Sequence, residues 1–254
     1  MEIRTELCCI NAIIDSIDQE QPNLNPTQIY NEGWMTRLLV KFSIEDKLKF
    51  KGIDFSSIRH WCSEALIRSP FLPHKRKDPL AESHTHADMA IGDFEANFEY
   101  NSEIKLKNNP NLFGIVEAKM GSNLGQYITH AKNYNQASRS LACIAYVTKD
   151  TSCKIFFSVV APEYTLEKYK IDEQIDKEFM MRQIRGRFNQ YDEKFRKDED
   201  MDGVLAKAKE CDVWSASYED WIDAINDPQL KGALKVFYGK AKKWNDYQVR
   251  KQAK

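Results

Sequence analysis

No run in this 254-residue chain approaches the ~18–20 consecutive apolar residues that a membrane-spanning helix needs. The opening MEIRTELCCINAIIDSIDQE places acids ahead of its short apolar stretch, unlike a secretory leader, which starts basic. No CxxC pair occurs among the six cysteines (Cys8, Cys9, Cys62, Cys143, Cys153, Cys211), which argues against a zinc ribbon or a redox motif and points to reduced, packed thiols. An excess of charge is missing too. With 37 Lys+Arg against 38 Asp+Glu the formal charge is −1, so any surface for a polyanion must be local. Internal repeats and low-complexity tracts are absent. The expectation is a cytoplasmic protein with no membrane partner, folded as one domain over 1–254.

The pattern that is present reads as α/β. Residues 1–20 suggest an opening helix, ended by the prolines of QPNLNPTQ. A second helix is expected over 27–49, with Ile29, Glu32, Met35, Leu39 and Phe42 on one stripe, so that one carboxylate shares an apolar face. Residues 55–68 look helical, followed by a loop carrying the basic run His74-Lys75-Arg76-Lys77. Strands are expected at 87–98, 103–107 and 112–120, the last apolar on both faces and hence central. A helix over 127–147 and a β-branched, aromatic strand at 154–162 follow. The tail reads as a long helix over 171–197, a short strand at 212–216, and helices over 217–226 and 228–247. A core over 27–162 would thus carry a mostly helical extension over 163–254.

Glu117-Ala118-Lys119, at the end of the strand 113–120, carries the chemistry. Residues two apart on a strand share a face, so a carboxylate and an ammonium project together from an otherwise apolar element. That arrangement is costly unless the two are paired or bind something. Phosphodiester hydrolysis gives them a use: the carboxylate holds Mg²⁺, and the lysine positions water and offsets charge developing on phosphorus. A second acid must come from a neighbouring strand. If NNPN at 108–111 turns the chain into a hairpin, residue 107 faces 113 and Glu103 lies opposite Glu117, close enough to share a cation. Asp88, opening the preceding strand, takes that place if the strand 88–97 pairs with 113–119 instead. Glu32 needs a partner on its apolar stripe, and a metal-bound water is one. Gln136 and Arg139, one turn apart on the next helix, can reach water or phosphate beside the site.

An acidic helix residue (Glu32), a strand acid (Asp88 or Glu103), Glu117-X-Lys119 and a helix bearing Gln136 occur in the order helix, strands, helix, strand. The chain in this respect resembles the PD-(D/E)XK nuclease superfamily. It is similar also to a group of bacterial proteins sharing segments such as SEAL, SPFLP, DPLAES, THAD, EAKM and LACIA, over roughly residues 30–160. A Pro-Asp pair is missing, which leaves Asp88 and Glu103 as alternatives for the first metal ligand. The resemblance implies a restriction-endonuclease-like core with a central mixed sheet flanked by helices. It implies a Mg²⁺- or Mn²⁺-dependent phosphodiesterase acting on nucleic acid, usually DNA, and it allows a homodimer. Glu117 with Glu103 or Asp88 would be the metal ligands, and Glu32, Lys119 and Gln136 would complete the catalytic set.

Lys75, Arg76, Lys77 and Arg139, with the helix cluster Arg182, Arg185 and Arg187, are the candidate phosphate contacts. A core of this shape that binds nucleic acid without cutting it is the main alternative. The other is a protein-interaction module using Trp214, Trp221, Phe237 and Trp244, residue types that more often fill a core. The run His84-Thr85-His86-Ala87-Asp88 is similar to the HxHxDH zinc motif of metallo-β-lactamase-type hydrolases. Met89 stands where that motif needs its final histidine, so the zinc reading is set aside.

Overall fold

The computed structural model describes residues 10, 13–18, 24–73, 76–78, 80–100, 102–125, 134–192 and 201–245. Its first long helix, α1 (Glu32–Glu45), starts where the Asn31 side chain accepts a hydrogen bond from the Trp34 N–H. Met35, Leu39 and Val40 turn inward from it. A two-stranded ribbon follows, β1 (Lys49–Phe50) with β2 (Ile53–Asp54). The segment read as a helix over 55–68 is instead a 3-10 turn (Phe55–Ser57) and a strand, β3 (His60–Ile67). Glu64, Ala65 and Leu66 are good helix formers, but hydrogen bonding to a neighbouring strand along nearly the whole segment overrides that preference.

β4 (Thr85–Gly92) runs antiparallel to β3, and β7 (Leu112–Ala118) antiparallel to β4. The single strand expected over 87–98 breaks after Gly92, whose φ of +138° belongs to glycine alone, and whose missing Cβ would stand 2.1 Å from the Leu112 carbonyl oxygen. Beyond that corner β5 (Phe94–Asn97) pairs with β6 (Glu103–Leu106). Helix α2 (Gln136–Thr148) crosses over from β7 to β8 (Lys154–Ala161), which lies parallel to β7. The next stretch is helical: α3 (Glu163–Tyr169), α4 (Ile171–Gln174), α5 (Lys177–Asp192) and α6 (Met201–Glu210). The long helix expected over 171–197 is therefore interrupted between Gln174 and Lys177. The expected late strand is β9 (Asp212–Ser217), parallel to β8, and the last two helices are α7 (Tyr218–Ala224) and α8 (Pro228–Asn245).

The result is a mixed seven-stranded sheet in the order β5-β6-β3-β4-β7-β8-β9, covered by helices on both faces. One core packs α2, α5 and α6 against the sheet through Leu141, Ile184, Phe188 and Val204. The other packs α1, α7 and α8 through Met35, Leu39, Trp221 and Leu234. The helices after residue 162 thus build part of both layers, and β9 extends the sheet itself. β7 lies between β4 and β8, and its residues from Phe113 to Ala118 are all buried, as its unbroken apolar run requires. Gly114 makes room there for Phe156, whose ring would meet an added Cβ at 2.2 Å. The described cysteines, Cys62, Cys143, Cys153 and Cys211, are buried free thiols, whereas Cys8 and Cys9 lie outside the described residues. No helix among the described residues is long and apolar enough to cross a membrane.

Candidate functional site

The site forms where β4 begins and β7 ends, because two antiparallel neighbours bring opposite ends together. The pairing Met89↔Val116 continues one step to Asp88 opposite Glu117. Directly opposed side chains stand with Cβ atoms roughly 4.5–5.5 Å apart. Asp88 is half-buried and fixed by its Oδ2, which accepts a hydrogen bond from the Ala118 N–H at 2.8 Å. Glu103 is elsewhere: two whole strands, β3 and β4, separate β6 from β7. Its register partners are Leu66 and Asn97, and its carboxylate is half-exposed, 3.7 Å from His84 Nε2. The hairpin register that set Glu103 opposite Glu117 is therefore overturned. NNPN does turn the chain, but β7 finds its antiparallel partner in β4, where it is covered on both edges.

Glu117 is fully buried, and its Oε1 accepts hydrogen bonds from Lys119 Nζ and Gln136 Nε2, each at 2.5 Å. Its Oε2 accepts from no donor, and the Asp88 carboxylate lies within hydrogen-bonding reach of Glu117. Burial and the neighbouring Asp88 carboxylate push its acid dissociation up to about 8, against the opposing pull of Lys119. Lys119, 8% exposed, moves the other way from what burial alone would do: Glu117, Asp88 and Glu32 together hold its ammonium charged. Glu32 closes the group from α1. Its Oε2 accepts a hydrogen bond from the Met120 N–H at 2.7 Å, just beyond Lys119, and desolvation raises its pKa. Asn135 caps α2 by accepting from the Ser138 N–H, which aims Gln136 at the end of β7.

One member of this neighbourhood escaped the sequence reading. Glu64 lies between the register pairs Ser63↔Met89 and Ala65↔Ala87, which places it beside Asp88 on the strand next door. Its φ is +54°, a left-handed conformation in mid-strand, and the alternation of the sheet slips there: Cys62, Ala65 and Ile67 all face the α2-side core, as do Ala87 and Ala90. A non-glycine residue in that region costs about 1–2 kcal/mol, and such strain gathers at functional sites. The segment's helical look hid this acid. Replacing Glu64 with glycine removes the clash between Cβ and backbone; denaturant unfolding is expected to show stability raised by about 0.5–1 kcal/mol with an unchanged m-value. A drop would mean that the Glu64 side chain itself supports the fold.

A cleft of ≈ 720 Å³ is lined by Glu32, Glu64 and Asp88 together with Met120, Gly121, Tyr164 and Lys168, while Glu117, next to Asp88, is fully buried and does not line it. Among the described residues no three His, Cys, Asp or Glu side chains form a ready-made ligand set. Mg²⁺ does not require one, being held in many sites by one or two carboxylates with water completing its shell. The buried Oε2 of Glu117, which accepts from no donor and lies beside Asp88, suits such an ion: a cation would compensate both carboxylates once Glu117 gives up its proton.

The remaining candidates fall away from this point. Arg139 is 3.3 Å from Glu82 through its Nε, and its Nη2 donates to the Ser83 and His84 carbonyl oxygens. It braces the loop before β4 and does not reach the carboxylates. Arg187 is buried against Glu82 at 2.9 Å and cannot touch a backbone phosphate, whereas Arg182 and Arg185 are exposed. Arg76 and Lys77 are exposed as well, and Lys75 lies outside the described residues. Trp221 fills the core, and Trp214, Phe237 and Trp244 are partly buried against it. No family model, curated protein or solved structure matches this chain.

Proposed function

We propose that this protein is a divalent-metal-dependent nuclease with a PD-(D/E)XK-type, restriction-endonuclease-like core, hydrolysing phosphodiester bonds of nucleic acid, DNA above all. The observation that carries this reading is Glu117: a carboxylate with no solvent contact, one oxygen held by Lys119 and Gln136, and the other accepting from no donor beside Asp88. Burying such a group is costly, and a cation held between it and Asp88 would compensate that cost. The order helix, antiparallel strands, crossover helix, parallel strand supports the same core.

Glu117 and Asp88 would hold Mg²⁺ or Mn²⁺. When bound, such an ion supplies an activated water and neutralises charge on the phosphate oxygens. Lys119 is kept cationic by three surrounding acids, so at neutral pH it acts as a hydrogen-bond donor to the phosphoryl oxygens and not as a base. Gln136 fixes Glu117 by donating to its Oε1, leaving Oε2 with no hydrogen-bond donor. Glu32, raised in pKa and tied to the Met120 N–H, orients water at the rim of the cleft.

The test is to incubate the protein with plasmid, linear duplex, single-stranded DNA and RNA in Mg²⁺ or Mn²⁺, beside Lys119→Ala. Cleavage is expected to fall about 10²–10³-fold in that variant, the usual loss for one electrostatic donor to a transition state. Cleavage indifferent to the substitution would reject the assignment. Salt-sensitive binding with no turnover in any metal would leave a binding module in its place.

A further inference from the structure

A different set of residues in the same cleft speaks to what kind of strand it accepts. Trp34 sits in the first turn of α1, beside Glu32, and is 42% exposed. An indole that open to water is unusual, since its large apolar faces gain most from burial. It is also held still. Its backbone N–H donates to the Asn31 cap, which anchors the main chain there, and the Arg37 guanidinium lies 5.0 Å from the ring centroid and steadies the indole. Arg37 is pinned in turn by its Nε, which donates to Ser63 Oγ at 2.9 Å. Both Trp34 and Arg37 line the cleft together with Asp88. The same cleft is lined by Tyr164, 37% exposed, whose hydroxyl donates to the Met120 carbonyl oxygen, with Lys168 one turn further along α3.

Two exposed aromatic rings and two cations therefore flank the carboxylates. Rings offer a stacking face only to bases that have left their own stack, because in a duplex those faces are occupied by neighbouring base pairs. The size agrees. A cleft of ≈ 720 Å³ is in the ~300–1,000 Å³ range of small-ligand sites, enough for one or two nucleotides and too small for a turn of double helix. We propose that Trp34, backed by Arg37, is a stacking platform that feeds an unpaired nucleotide to the Asp88–Glu117 site, so that the substrate is single-stranded nucleic acid and an intact duplex is refused. This rests on the nuclease reading for the chemistry, but it is tested through binding.

In a Glu117→Gln background, fluorescence anisotropy with a labelled single-stranded oligonucleotide, a hairpin duplex of the same sequence and an abasic strand of the same length separates the possibilities. Trp34→Ala is expected to weaken binding of the single strand about 5- to 100-fold, with Trp34→Phe staying within about threefold of the parent. The abasic strand should bind weakly and feel neither change, and the duplex should bind more weakly than the single strand throughout. Because Trp34 is exposed, circular dichroism and thermal unfolding of the variants should match the parent. Single-strand binding unaffected by Trp34→Ala, an equal loss on the abasic strand, or a duplex bound as tightly as the single strand would overturn the platform. If no variant binds any strand, the proposal also fails. Cleavage of duplex DNA undiminished in Trp34→Ala would sink the platform and leave the nuclease intact, whereas the expected binding pattern with no cleavage by the unsubstituted protein would do the reverse.

Discussion

Replacing Glu117 with glutamine is expected to remove metal-dependent cleavage, by at least about 10²–10³-fold, while flattening the dependence of folding stability on pH. The first half follows from position: glutamine keeps the volume and can still meet Lys119 and Gln136, but it presents no charge to a cation. The second half follows from burial. Unfolded, Glu117 releases its proton near the ordinary 4.5; folded, it holds that proton up to about pH 8. Below 4.5 both states are protonated and the penalty is absent. As pH rises from there toward 8 the unfolded chain ionises first, so stability is lost across that window. At roughly 1.4 kcal/mol per pH unit the decline across that window should be on the order of a few kcal/mol, the pull of Lys119 being already contained in the value of about 8. Glu32, raised by desolvation, adds to it in the same direction. Urea unfolding at pH 5 and pH 8 in the absence of divalent metal measures the difference. A Glu117→Gln variant that loses as much stability as the parent between those pH values would show that the carboxyl is not held protonated by the fold.

On the proposed reading, the same proton would govern metal uptake. A cation must take Glu117 as its carboxylate, so below about pH 8 each binding event has to expel a proton. Affinity for Mn²⁺ or Mg²⁺ should therefore rise roughly tenfold per pH unit between pH 6 and pH 7.5 and level off above about 8, with close to one proton released. Calorimetry in two buffers of different ionisation heat counts that proton directly. Asp88→Asn should weaken binding about 10- to 100-fold, since it removes the opposed carboxylate, while Glu103→Gln should leave affinity unchanged within about twofold. A larger loss from Glu103 than from Asp88 would mean that the pairing of β4 with β7 does not bring the ligands together as described. Because Asp88 Oδ2 also accepts the Ala118 N–H, thermal unfolding of Asp88→Asn is the necessary control for a fold effect.

Much of the site was legible in the residues alone, for reasons of local geometry. A strand repeats every two residues, so Glu117 and Lys119 had to share a face, and they do, 2.5 Å apart. The acid on the stripe of the first long helix, Glu32, does face inward far enough to reach the end of β7. Gln136, placed on the next helix by the same reading, meets Glu117. Each of these depends on the period of a single element and on the order of elements along the chain. The membership of the α/β class and the late strand at 212–217 were legible in the same way, from composition and alternation.

The choice between Asp88 and Glu103 was of another kind. Both acids fall near the start of an expected strand, both precede Glu117, and a short Asn-Pro-containing turn made the wrong hairpin look natural. Which strand lies beside which is decided by total burial across the sheet, and a fully apolar strand such as β7 gains most between β4 and β8, leaving the half-exposed β5–β6 pair for the edge. That non-local pairing also turned an apparent helix into β3 and put Glu64 next to Asp88. Arg139 and Arg187 show the same limit from the other side, since cations that looked free for phosphate are consumed by Glu82, an acid far from both in sequence. The sequence by itself determined on which faces the candidate side chains lie, because faces follow from the period of one helix or strand. Only the tertiary structure decided which of them meet, because strand order answers to the burial of the whole sheet and leaves no local mark.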